Sequence, residues 1–162
     1  MSEQPVSIGW REWLILPDLG IPAIKAKIDT GARTSALHAF RIESFKKNAE
    51  EWVHFWIHPL QKRTDVEIMC EAKVVDKRTV KDSGGHAEER FVIKTLAHLG
   101  PHSWPIEITL TSREDMLFRM LLGRTALSDG KFAIAPDASY LLGRNLRHAY
   151  KSVRRKQEKI NS

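Results

Sequence analysis

Hydrophobic and polar residues alternate along much of the chain. Ile24, Ala26 and Ile28 are interleaved with Lys25 and Lys27. That period of two predicts a strand with one apolar face, and it runs straight into Asp29. Residues 8–16, rich in Trp, Ile and Leu, predict a preceding strand, and Pro17, Asp18, Leu19 and Gly20 supply turn chemistry between the two. The pair reads as a hairpin that delivers Asp29. Residues 34–40 carry on from the Asp29 loop, and Phe45, Lys46, Lys47 and Asn48 read as a turn. In residues 51–58, Val53, Phe55 and Ile57 share one face while Trp52, His54 and Trp56 share the other. Such a strand is expected to be covered on both sides or to lie at an interface. Pro59 ends it.

Residues 66–75 alternate again through Ile68, Cys70, Ala72 and Val74. Residues 77–89 are polar, with Ser83, Gly84 and Gly85 at their centre, and read as a long hairpin. Trp104, Ile106, Ile108 and Leu110 mark a further strand, residues 116–122 are apolar, and residues 131–135 form a short strand stopped by Pro136. Gly123 lets the chain turn into a short helix over residues 124–127. Leu146, Ala149, Tyr150 and Val153 fall at helical spacing within residues 145–159. Many short strands with little helix predict an all-β fold, a closed barrel. One short helix follows Gly123, and a basic helix closes the chain.

Charge divides the chain. Seven basic residues and one acid lie from Arg144 onward, so the body balances at 19 of each sign and the net charge of +6 sits in the tail. The expected organisation is a barrel domain over residues 8–143 and a basic helical tail over 144–162. The tail is either a solvated helix or a docking element for RNA, a ribosome or an acidic partner. Hydrophobic residues make up 42% of the chain, enough for a soluble core, and the lone Cys70 excludes an intrachain disulfide. With no signal peptide or membrane-length apolar run, a cytoplasmic location is expected. Neither a His-Glu-x-x-His helix nor a phosphate-binding glycine loop occurs, so no metal or cofactor is expected. Cys70 and the tryptophans read as core or interface residues.

Asp29 is followed by Thr30, Gly31 and Ala32. Gly31 permits a tight loop, and Thr30 offers a hydroxyl that can be locked by a hydrogen bond. A carboxylate presented that way is a candidate for acid/base chemistry, although an Asp beside a Gly is also an ordinary turn. Far downstream, Met120, Leu121 and Leu122 precede Gly123 and Arg124. Together the two segments resemble the active-site signature and the hydrophobic-hydrophobic-Gly-Arg segment of retropepsin-like aspartic proteases. Residues 26–39 and 107–127 are closer still to a bacterial group labelled ATP-dependent zinc proteases, which accompany ATP-grasp ligases that add glutamate. The resemblance covers residues 8–143 and implies a closed acid-protease barrel of about six strands.

The resemblance implies a peptidase with Asp29 as the catalytic acid/base and Thr30, Gly31 and Ala32 shaping its loop. It implies a flap whose tip is Ser83, Gly84, Gly85 and His86, and structural support from Gly123 and Arg124. Two carboxylates are needed, and this chain has one Asp-Thr-Gly loop, so a homodimer is expected to pair two copies of Asp29 on its two-fold axis. The substrate would be a peptide or protein, a glutamate-rich one suiting the basic tail and the ligase association. The competing reading is a non-catalytic regulatory module that keeps the barrel and works with a glutamate ligase or a ribosome-associated partner.

Overall fold

The computed structural model describes residues 4–81, 84–113, 116–142 and 146–150. Its strands, in chain order, are β1 (Val6–Ile8), β2 (Arg11–Leu16), β3 (Ile21–Ile28), β4 (Ser35–His38), β5 (Arg41–Lys47), β6 (Glu50–Ile57), β7 (Ile68–Lys81), β8 (Ala87–Leu99), β9 (His102–Thr111), β10 (Met120–Leu122) and β11 (Phe132–Ile134). A single α-helix among the described residues, α1 (Arg124–Asp129), follows Gly123 as expected. Strands β2, β3, β10, β4, β9 and β8 hydrogen-bond in that order, and a β2–β8 pairing at Ile15 and His98 closes them into a six-stranded barrel. The fold is therefore the all-β closed barrel that the alternation predicts.

Each barrel strand sends a side chain inward. Leu14, Ile24, Leu122, Leu37, Ile108 and Ile93, one per strand, are 0% exposed and belong to one core. Burying each contributes about 1.5–3 kcal/mol. Beyond the barrel, β7, β6 and β5 extend the sheet antiparallel from β8, and β1 pairs with β11 in parallel. On β6 the Val53, Phe55 and Ile57 face is fully buried. On the opposite face His54 stacks on Phe45, with Arg41 over Trp56 and Lys47 over Trp52.

Two local expectations are corrected, and two further stretches receive their bounds. The first predicted strand breaks into β1 and β2. At Gly9 a Cβ would lie 2.4 Å from the Ala138 carbonyl oxygen, and Trp10 donates to that oxygen, so a distant segment redirects the chain. The predicted turn at Phe45 to Asn48 is instead the end of β5. The reversal sits at Asn48 and Ala49, with φ of 52° and 65°, the two positive values a tight hairpin turn of matching twist requires. Strand β7 runs to Lys81, past the last apolar alternation, because backbone pairing with β8 continues through charged residues. Only Met120–Leu122 of the apolar stretch 116–122 is strand.

The expected tail helix lies outside the described residues except at Arg147–Tyr150, which forms a 3-10 turn. There Tyr150 is buried, donating its hydroxyl to the Ala23 carbonyl and accepting from the Ala23 N–H at 3.3 Å.

Cys70 is core, 2% exposed, as expected. Burial pushes its thiol from 9.0 up to about 12, and burial also raises the Tyr150 phenol. Both groups are bound to their protons more tightly in the folded chain than in the unfolded one. Their contribution is thus complete below the unfolded pKa and is lost as pH rises through the folded one. On the alkaline side urea midpoints should fall above about pH 9, and Cys70→Ala should flatten part of that fall.

Candidate active site

Asp29 sits where β3 leaves the barrel. β3 runs parallel to β10, with Ala26 opposite Met120 and Ile28 opposite Leu122, and β10 runs antiparallel to β4. The downstream Leu-Leu-Gly-Arg segment is thereby threaded directly behind the Asp29 loop. The Asp29 N–H donates to the Leu122 carbonyl at 2.9 Å, and the Ala32 N–H donates back to the Asp29 carbonyl at 3.3 Å. The Gly31 N–H donates to Asp29 Oδ1 at 3.1 Å, which sets the direction of the carboxylate. A Cβ on Gly31 would lie 3.3 Å from that same oxygen, so a side chain there would crowd it. Thr30 is exposed at the loop tip.

Arg124 braces the loop from below. Its backbone N–H donates to the Ala32 carbonyl at 2.8 Å, and its Nη1 donates to the Thr30 carbonyl at 3.1 Å. Gly123 faces the other limb of the loop. Its N–H donates to the hydroxyl of buried Ser35 at 3.0 Å, and the Ser35 carbonyl accepts from Thr109 Oγ1 at 3.2 Å. A Cβ on Gly123 would lie 2.5 Å from the Thr34 carbonyl carbon and 2.8 Å from the Ser35 nitrogen. Both are backbone atoms with little freedom to retreat. Gly123→Ala should cost about 1–3 kcal/mol in urea unfolding, and the strain should displace the Asp29 loop.

A cleft of about 590 Å³ opens over Asp29, Gly31 and Ala32. Arg78, Thr79, Val80 and Lys81 of β7 and Arg90 of β8 form its opposite wall, so the arms of the long hairpin overhang the carboxylate. Ser83, at the expected flap tip, lies outside the described residues. Gly85 turns with a φ of +82°, and His86 lines a smaller adjoining cavity. Of the other expected site residues, Gly84 falls at the hairpin tip, while Gly123 and Arg124 buttress the loop from behind.

Among the described residues five cations line the cleft, namely Arg33, Arg78, Lys81, Arg90 and Arg113, with Asp29 the one carboxylate. Arg78 and Arg90 are directly opposite on β7 and β8, a repulsive placement answered by separate acids. Arg78 bonds Asp76 at 2.8 Å and Glu107 at 2.9 Å, and Arg90 bonds Glu88 at 2.9 Å. The hydrogen bond from Arg78 holds the Asp76 carboxyl below its ordinary range. Arg33 and Lys81 pair with no carboxylate among the described residues. Sequence reasoning missed this cationic wall, and also Ser35. The available signal was the set of basic residues flanking the Gly84-Gly85 tip on both sides.

His54 and His58, spaced four apart, stack on Phe45 and Phe40 and lie 3.3 Å and 3.4 Å from Glu71 and Glu67. They belong to the outer face of the sheet extension, away from Asp29.

Known proteins resemble this arrangement at three levels. A crystal structure of a Legionella pneumophila protein of unknown function superposes with a TM-score of 0.71 at 28% identity, covering 85% of this chain and 98% of that one. Two Shewanella proteins, from S. halifaxensis and S. pealeana, are each named "Probable alpha-L-glutamate ligase" and are 48% identical over 143 residues, or 88% of this chain. The chain spans only 31% of the length of those relatives. Residues 7–145, which hold the barrel, the Asp29 loop and its Gly123 buttress, match the family described as "Retropepsin-like aspartic endopeptidase RimB". The chain thus belongs to the RimB-like family of retropepsin-like proteins.

Proposed function

We propose that the protein is an aspartic peptidase that cleaves peptides rich in acidic side chains, with Asp29 of two copies of the chain forming one catalytic pair. The observation that carries this reading is the cleft, where among the described lining residues Asp29 is the only carboxylate and five are cations. A polyanionic peptide gains from such a wall, because a cleft of one sign concentrates its ligand. The names of the Shewanella relatives support the same substrate class, since a glutamate ligase produces glutamate-containing chains.

One exposed loop supplies half of the chemistry. Two carboxyl groups brought face to face share one proton, because both cannot ionise at close range. The ionised Asp29 takes a proton from water as the water oxygen bonds to the peptide carbon. The protonated Asp29 hydrogen-bonds to the carbonyl oxygen that becomes tetrahedral. Collapse breaks the C–N bond, and the proton passes to the departing nitrogen. Exposed Thr30 at the loop tip and the short Gly31 leave room for two such loops to meet. Under the arms of β7 and β8 an extended peptide would add as a strand.

The lone buried Cys70 fits a reducing cytoplasm, and no helix among the described residues is long and apolar enough to cross a membrane. The test is cleavage of a glutamate-tailed peptide and its glutamine-tailed counterpart, with the mass of the assembly measured in the same buffer. Release of glutamates by a dimer, with the glutamine peptide spared, is the expected result. Intact peptides beside a monomer would favour the second reading, a regulatory module of a glutamate ligase. That reading is favoured by one observation, that the matching segment is part of longer proteins bearing the ligase name.

A further inference from the structure

Arg90 is the most deeply placed cation of the cleft, 9% exposed. Its Nε donates to Glu88 Oε2 at 2.9 Å, and its Nη1 reaches Thr109 Oγ1 at 3.4 Å, near the limit of a hydrogen bond. Nη2 makes no hydrogen bond among the described residues. Glu88 is itself pinned, since the same Oε2 accepts from Thr111 Oγ1 at 3.0 Å. Glu88 and Thr109 therefore hold Nε and Nη1 and leave Nη2 without a protein partner among the described residues. A buried guanidinium carries five donors in a fixed fork suited to a second, bidentate carboxylate. Nη2 is not sealed inside the fold, so water reaches it and a ligand carboxylate can take the place of that water.

The surroundings fit such a ligand. A side pocket of about 250 Å³ is lined by Val80, His86, Glu88, Arg90 and Arg113. Val80, Arg90 and Arg113 also line the Asp29 cleft, so the pocket opens off it at the arm of the hairpin. Among the described residues Glu88 is the only carboxylate lining the pocket, and its Oε2 is already occupied. We propose that Arg90 is the specificity-determining residue of the cleft, receiving the side-chain carboxylate of one acidic residue of the peptide in this side pocket. The proposal rests on the acidic-peptide reading above and adds the contact that enforces it.

Binding tests it apart from catalysis. Fluorescent hexaglutamate and hexaglutamine are titrated by anisotropy against the Asp29→Asn chain, which would hold peptides uncut, and against the same chain carrying Arg90→Met, Arg90→Lys or Arg90→Glu. The thermal midpoint of each variant is recorded alongside. Arg90→Met should lower hexaglutamate affinity about 10-fold or more and leave hexaglutamine unchanged, and Arg90→Lys should retain part of the preference. Arg90→Glu should lower hexaglutamate affinity further than Arg90→Met does. If Arg90→Met misfolds, the Lys variant carries the test, because it keeps the charge while losing the fork. A folded Arg90→Met or Arg90→Lys chain that discriminates as fully as its parent overturns the proposal, as does a parent that does not prefer hexaglutamate. Failure of the peptidase reading shows separately, as absent cleavage by the unmodified chain.

Discussion

Asp29→Asn should abolish peptide cleavage, by about 10³-fold or more, while leaving the fold intact. The substitution removes the charge and the titratable proton but keeps size and shape. The hydrogen bonds that seat the loop involve backbone groups, from the Asp29 N–H to Leu122 and from the Ala32 N–H to the Asp29 carbonyl. They survive the change, and the Gly31 N–H can still donate to the amide oxygen. Loss of activity with an unchanged urea midpoint would therefore report chemistry rather than unfolding. Full activity in the Asn variant would remove Asp29 as the catalyst.

Glu12→Ala should cause the largest loss of stability, about 3 kcal/mol, with little direct effect on the Asp29 loop. Glu12 is 0% exposed. Its Oε2 accepts from the Gly9 N–H at 2.7 Å and the Leu141 N–H at 2.8 Å, and its Oε1 accepts from the Leu142 N–H at 3.1 Å. One carboxylate thus ties the segment after β11 across the start of β2, beside the contacts from Trp10 to Ala138 and from Tyr140 to Arg11. Alanine strands the buried Gly9 donor and releases the part-buried Leu141 and Leu142 donors. Glu12→Gln keeps an acceptor oxygen and should lose less. Equal urea midpoints for Glu12→Ala and the unmodified chain would show that the strap contributes nothing.

What could be read in the chain was what short-range pattern encodes. The Ile24, Ala26 and Ile28 face is buried as its alternation requires, and it delivers Asp29 to the barrel end. The Leu122-Gly123-Arg124 segment packs behind that loop, where its resemblance to the retropepsin pattern placed it. What escaped depends on partners far away in the chain. Glu12 looks like any polar residue of an alternating strand, and only the return of residues 141 and 142 makes it a buried clamp. Gly9 looks like part of a strand until Ala138 takes up the space above it. Strand β5 carries too few apolar residues to announce itself, since pairing with β6 rather than burial holds it. The cations of the cleft arise on the Asp29 loop, both hairpin arms and the segment after β9, so no single window of sequence displays them together.

Mixing two kinds of chain addresses the paired carboxylate directly. Unmodified and Asp29→Asn chains are unfolded together in equal amounts, refolded so that partners assort at random, and assayed on the glutamate-tailed peptide. If each site needs Asp29 from both copies, only dimers of two unmodified chains cleave, and activity falls to about one quarter of that of the same total amount of unmodified protein. Across other ratios it follows the square of the unmodified fraction. Activity at about one half, falling in direct proportion to the unmodified chain, would show that each chain acts with its own Asp29, and about three quarters that one Asp29 per dimer suffices; either would contradict the account.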